Sequence, residues 1–297
     1  MKYILSILFI GLQFSQAQYS LSLNPKRGSS YNLNMNSSFT LSTEMNGQKQ
    51  TFNSMMTGIA KFDVKEVTDS GVVLEASFDS VHVTSRTPMG KFEFTSDKSG
   101  QEAAAMNAMA NQHFTITLAK NGSVKKIHHP DTAGMSGMLS NFPGLDQIRR
   151  MLMMGNMRRG FNEKKMKENL EKITAIFPDK KVNLNEEWGY TIRPDSMANH
   201  EIKTVYRLIS YQGGLATIQG TSTSKASGLE KQGGKTPVNY QLDGNSAMTF
   251  VVDASTGWIK NATIKRNLTG HIEMKDKSNA TKTIPVQLTI EAKLSGQ

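Results

Sequence analysis

The chain has 297 residues, 37% hydrophobic and 20% charged, with 13 Phe, 7 Tyr and 2 Trp. That is too apolar for a disordered chain, too polar for a polytopic membrane protein, and long enough for one large core or two ordinary ones. The absence of cysteine excludes disulfide frameworks, thiolate zinc sites, iron–sulfur clusters and cysteine nucleophiles, and the formal charge of +10 points toward anionic partners.

The first residues carry the pattern of a secretory leader. Lys2 is a short positive n-region, Ile4 to Leu12 is apolar, and Ser15-Gln16-Ala17 places small residues for cleavage after Ala17. Residues 1–17 are therefore expected to be a signal peptide, and the mature chain periplasmic or secreted. No second apolar run approaches the roughly 20 residues that span a bilayer as a helix, so no transmembrane segment is expected after cleavage. The mature charge falls to +9 with the loss of Lys2. Outside the cytoplasm the common polyanions are lipid and glycolipid headgroups, which argues against nucleic acid as the partner.

From Tyr19 onward, period-two stretches alternate with turn signals. Tyr31 to Glu44, Gln50 to Val67 and Val72 to Val83 read as strands, joined by Asn46-Gly47 and Asp69-Ser70-Gly71. Gln101 to Gln112 reads as a helix. His113 to Leu118 and Ser123 to Ile127 then form a hairpin about Asn121-Gly122.

The stretch from Pro130 to Pro178 reads as helical. Leu145, Ile148 and Leu152 recur at helical spacing after Pro143-Gly144. A second helix capped by Asn162 would bury Met166, Leu170, Ile173 and Phe177, with Lys and Glu on the other side, and stop at Pro178. Beyond Val182 strands resume. Turns are expected at Gln212-Gly213-Gly214, Asp243-Gly244 and Thr256-Gly257, and a polar loop around Ser224 to Thr236.

The expected fold class is thus α+β and β-rich, with curved antiparallel sheets and a central helical insertion. Residues 18–129 form an N-terminal β-rich unit, 130–181 a Met-rich basic helical segment and 182–297 a C-terminal β-rich unit. The two β-rich stretches share an order of features, including Gly122-Ser123-Val124-Lys125 and Gly257-Trp258-Ile259-Lys260. Two sheet units, as a duplicated half-barrel, and one large sheet both remain open.

Motifs for chemistry are sparse. Gly134-Met135-Ser136-Gly137-Met138 lacks the second Gly of a nucleophile elbow. His128-His129 with Asp131 would point its imidazoles to opposite faces of an extended chain, and His200-Glu201 has no following His for a zinc helix. The adjacent Glu186 and Glu187 diverge. No catalytic residue, metal site or cofactor is expected.

Methionine is the unusual feature: nine of 18 lie between Met106 and Met166. Three roles compete: core filling, an adaptable surface for apolar ligands or partners, and thioether ligation of Cu(I). Copper is disfavoured because no His or Cys lies within Met151 to Met157. The apolar candidates for a ligand site are Phe142, Leu145, Ile148, Met151, Leu152 and Met154. Arg149, Arg150, Arg158 and Arg159 would meet an anionic head, although a solvated helix face is the competing account of that charge.

Leu21, Leu23, Gly28 and Tyr31, then Phe177-Pro178-Asp179-Lys180 with Glu186-Glu187-Trp188, then Gly257-Trp258-Ile259-Lys260 resemble an uncharacterised family of secreted proteins from Bacteroidetes-type bacteria. In organisation the chain is also similar to half-barrel envelope carriers of lipids and lipoproteins. That resemblance implies a sheet with covering helices around an apolar ligand. The expected function is an exported, non-enzymatic protein binding a lipid-like ligand or a partner protein in the envelope. The alternative is a structural envelope protein without a small-molecule ligand.

Overall fold

The computed structural model describes residues 17–45, 47–88, 90–96, 113–128, 163–194, 199–232, 236–275 and 280–297. Residues 1–16 of the expected leader, the expected helices at 101–112 and 145–157, and Ser136, His129 and Asp131 lie outside the described residues. So do all ten proposed ligand contacts: Phe142, Leu145, Ile148, Arg149, Arg150, Met151, Leu152, Met154, Arg158 and Arg159.

The fold is mostly antiparallel β-sheet with one short helix among the described residues, and the sheet is curved but not closed. Its strands are β1 (Ser30–Met45), β2 (Gln48–Thr68), β3 (Gly71–Thr87), β4 (Gly90–Thr95), β5 (Phe114–Leu118), β6 (Val124–His128), β7 (Glu187–Ile192), β8 (His200–Gln212), β9 (Leu215–Gln232), β10 (Thr236–Asp253), β11 (Ile259–Lys275) and β12 (Thr281–Gly296). They pair in the order β6-β5-β3-β2-β1-β12-β11-β10-β9-β8-β7, with β4 beside β3. The two β-rich stretches are therefore one continuous up-and-down sheet, joined where β1 pairs with β12.

The hairpin at Gly213-Gly214 forms as its sequence predicts. Both residues have positive φ, +61° and +75°, the geometry that matches the twist of flanking strands. Two other expectations fail. Asp243-Gly244 is not a turn: it lies inside β10, opposite Thr269 and Leu268. A Cβ on Gly244 would stand 2.5 Å from the Asn267 carbonyl oxygen and 2.8 Å from Leu268 Cγ, so the residue serves close approach, not reversal. Ser224 to Thr236 is not a polar loop but largely strand, because Ser222, Ser224 and Ala226 point inward while Thr223, Lys225 and Ser227 point out.

The helix, α1 (Glu163–Thr174), stops short of the expected Phe177. Thr174 Oγ1 donates back to the Leu170 carbonyl at 2.9 Å, and Phe177 precedes Pro178, which disfavours the helical conformation. Met166 is buried, Leu170 and Ile173 pack against the core, and Lys167 is exposed, as the periodicity requires.

The two end strands of the main sheet path, β6 and β7, meet α1 and the chain after it. Glu171 Oε1 accepts from Val124 N at the start of β6 (3.1 Å), and Trp188 Nε1 on β7 donates to the Ile176 carbonyl (3.2 Å). The seam is laced further by Phe177 N to the Asn121 carbonyl and by Asn121 Nδ2 to Asp179 Oδ1. No helix among the described residues is long and apolar enough to cross a membrane.

The core fills one end of the curved sheet. Leu208, Ile218, Phe250 and Val252 are fully buried there, and Trp258 stacks on Tyr31 with ring centroids 4.4 Å apart. Leu21 and Leu23 cross this base, held by Tyr19 to Val182, Leu23 N to the Lys120 carbonyl and Asn24 N to the Thr256 carbonyl. Helix α1 packs over it.

Candidate functional site

Strand register divides the inner wall into cross-strand rows. Next to the base lies Leu208–Ile218–Phe250–Ala262–Leu294, wholly apolar. The next row, Tyr206–Gly220–Met248–Ile264, is still apolar in character. Beyond it comes a polar one, Thr204–Ser222–Ser246–Arg266, which continues through Ile290, Phe39 and Ser54 to Ser85. The row after that, Ile202–Ser224–Gly244–Leu268–Leu288–Leu41–Phe52, returns to apolar side chains on its β11, β12, β1 and β2 members, each half-buried.

The polar row is buried on β8 to β10: Thr204, Ser222 and Ser246, and Ser224 in the row beyond, are each at most 6% exposed. Arg266 Nε donates to Ser246 Oγ at 3.0 Å, and His200 Nε2 lies 3.1 Å from Ser224 Oγ. Ser222 Oγ and His200 Nδ1 are buried with no hydrogen-bond partner among the described residues. An unpartnered buried polar atom costs about 1–3 kcal/mol, so two beside one cationic side chain mark a polar chamber and not ordinary core.

Helix α1 faces this row with a second stripe, Lys165, Glu168 and Lys172, at steps of three and four residues. Burial pushes the Lys172 ammonium down to about 8, with Arg266 and Lys165 adding repulsion and Glu168 opposing it. Burial likewise holds His200 neutral, down to about 4, with Lys172, Arg266 and Lys165 acting in the same direction. Burial also lowers Arg266. Lys172 and Arg266 thus share a partly desolvated space with Glu168, and Lys165 lies beside it, a net positive cluster; Lys172 Nζ also donates to Asn169 Oδ1 at 3.3 Å.

A depressed histidine gives a signed pH effect. Between its unfolded value near 6.5 and its folded value near 4 the unfolded chain binds the extra proton, so stability is full above about 6.5 and falls as pH drops through that window. Allowing for the part exposure of His200, the loss is about 2 kcal/mol. Denaturant titrations at pH 7 and 4.5 are expected to differ by about 1–2 kcal/mol less in His200→Gln than in the parent. An identical difference in both would place the imidazole in solvent.

A small apolar cavity of about 50 Å³ lies between α1 and the base, bounded by Leu33, Phe62, Leu74, Ile116, Leu170 and Trp258. It is a fraction of the roughly 150 Å³ that accepts benzene. It is a packing gap, not a berth for an acyl chain.

The outer face is the opposite of the inner one. It presents Lys65 with Glu75, Lys203 with Glu201, Arg207 with Glu187 and Lys265 with Glu291, exposed pairs worth little individually but well solvated. His200 and Glu201, adjacent on β8, fall on opposite faces, and Glu186 and Glu187 bind different partners, Lys180 and Arg207. No group of three His, Asp or Glu side chains suited to a metal ion occurs among the described residues.

The profile of one protein family matches residues 69–259, more than half of the sequence. The chain belongs to that family, the Family of unknown function (DUF6263). The matched segment of this DUF6263 protein includes Lys172, His200, Ser222 and Ser246, and stops before Arg266. No curated protein matches the chain. Among solved structures, the beta domain of the Bordetella autotransporter Brka aligns at 7% identity over 90% of this chain and 99% of its own, with a TM-score of 0.24. The COG4313 outer membrane channel from Pseudomonas putida F1 aligns at 9% identity over 96% and 98%, with a TM-score of 0.22. Scores of that size do not establish a common fold. Among the described residues the charged outer wall of the DUF6263 chain presents no outward apolar band like that of a lipid-embedded barrel.

Sequence reasoning missed Lys172, Glu168, Arg266 and the serine row. The signals were present: Ser222-x-Ser224-x-Ala226 alternates against Thr221, Thr223 and Lys225, and Lys165, Glu168 and Lys172 make a helical stripe.

Proposed function

We propose that this chain is an exported, non-enzymatic protein of the cell envelope that holds an apolar or amphipathic ligand against the concave face of its sheet. The observation that carries the reading is the inner wall beyond the polar row, where Leu41, Phe52, Leu268 and Leu288 are half-buried, together with Phe39 in the polar row itself, which is 36% exposed. Apolar surface on a concave wall that carries only one basic cluster, with the remaining charge on the convex face, suits a guest with an aliphatic portion. The leader pattern at Lys2, Ile4 to Leu12 and Ala17 supports export. A curved sheet with a helix against its inner side also fits the organisation of envelope lipid carriers, by analogy alone.

The test uses the delipidated full chain and a fluorescent fatty-acid analogue. Saturable binding, competed by unlabelled palmitate, is expected. Protein that is folded by circular dichroism and binds no probe would favour the structural envelope role instead.

A further inference from the structure

We infer that Arg266, Lys172 and the Ser222–Ser246 pair form a receptor for the anionic head, a carboxylate or phosphate ester, of a single-chain amphiphile whose tail lies along the apolar row toward the rim. This rests on the ligand-holding reading above and assigns the chemistry of the head and its orientation.

Three observations converge. The first is charge: Lys172 and Arg266, with Lys165 nearby, face one space with Glu168; Lys172 has a neutral partner in Asn169, and partly desolvated cations are stabilised further by an opposite charge. A bound anion supplies the missing charge. The second is an open valence: Ser222, 5% exposed, has a hydroxyl without a partner among the described residues and stands directly across from Ser246. Ser246 receives Arg266 Nε, which leaves the terminal nitrogens of the guanidinium fork as donors suited to a two-oxygen head. The third is space. On the base side of the polar row the side chains of Phe250, Ile218 and Leu208 are fully buried, and the adjoining gap is about 50 Å³, so a tail cannot run that way. On the other side Leu268, Leu288, Leu41 and Phe52 are half-buried. The head therefore sits deep and the chain points outward.

The experiment measures displacement of a neutral fluorescent probe by palmitate, a sixteen-carbon lysophosphatidic acid, hexadecanol and inorganic phosphate, using the full chain. Both anionic amphiphiles, or one of them, should outcompete hexadecanol by about tenfold or more; which one does so separates a carboxylate head from a phosphate ester. Arg266→Gln and Lys172→Gln should each weaken the anion by about 10- to 100-fold, as expected for lost hydrogen bonds to a charged group, and change hexadecanol less than about twofold. Glu168→Gln should strengthen the anion, which guards against reading a misfolded variant as a lost site. Lys265→Gln, on the outer face, should change nothing. Equal losses for anion and alcohol, no effect of Glu168→Gln, or inorganic phosphate binding as tightly as the lysophospholipid would each overturn the receptor while leaving a ligand pocket intact. Failure of every amphiphile to bind would instead remove the ligand-holding reading itself.

Discussion

Phe250→Ala is expected to cost about 3–5 kcal/mol, the range for a large aromatic removed from a closed core. Phe250 has no exposed surface, lies between Ile218 and Ala262 on neighbouring strands, and meets the Tyr206 ring edge-on with centroids 6.5 Å apart. The residue belongs to the tightest row of the wall, where no neighbour is free to collapse into the space left behind. Thr249→Ala, one residue away on the outer face, should shift the denaturation midpoint by less than about 0.5 kcal/mol. Similar small shifts for both would mean that the base is not the stabilising core.

Gly122→Ala should destabilise by about 2–4 kcal/mol, through backbone and not through lost burial. Gly122 has φ +85°, and a Cβ there would overlap the Thr174 carbonyl oxygen at the end of α1. The turn between β5 and β6 is thus a seat for the helix, fixed also by Phe177 N on the Asn121 carbonyl. Displacing α1 moves Lys172 away from Arg266, so the variant should lose affinity for anionic amphiphiles together with stability. Chemical denaturation and palmitate displacement on the same preparation check both. An unchanged midpoint would show that the helix is not held by this contact.

The hairpins were legible because turns favour particular residues: Gly213-Gly214 supplies two positive-φ positions that few other pairs allow, and Asp69-Ser70-Gly71 is a run of common turn residues. The burial of Met166, Leu170 and Ile173 was legible because helical period is a strong signal. Asp243-Gly244 misled because the same dipeptide satisfies two needs, positive φ in a turn and close approach inside a strand, and only the neighbouring strand decides between them. Ser224 to Thr236 misled because small polar residues facing inward have no hydrophobic signature. Lys172 and Glu168 do not stand out among the Lys and Glu opposite the apolar face, since a helical stripe reports only that residues share a side, not what covers it. The site was therefore invisible where it is made of polar groups buried by tertiary contact.

The pairing of β1 with β12 has a consequence for how the molecule comes into being. Leu33 lies opposite Gly296 and Thr43 opposite Val286, so the middle of the sheet is stitched from strands far apart in sequence. A polypeptide that emerges amino terminus first must carry β1 with a bare edge until β12 is released. Closing a loop on the order of 250 residues costs about 5 kcal/mol of chain entropy, recovered only when β12 docks. Much of the reward for folding is deferred until then, a topology that favours slow assembly and leaves a chain without β12 slack enough to be threaded through a narrow passage.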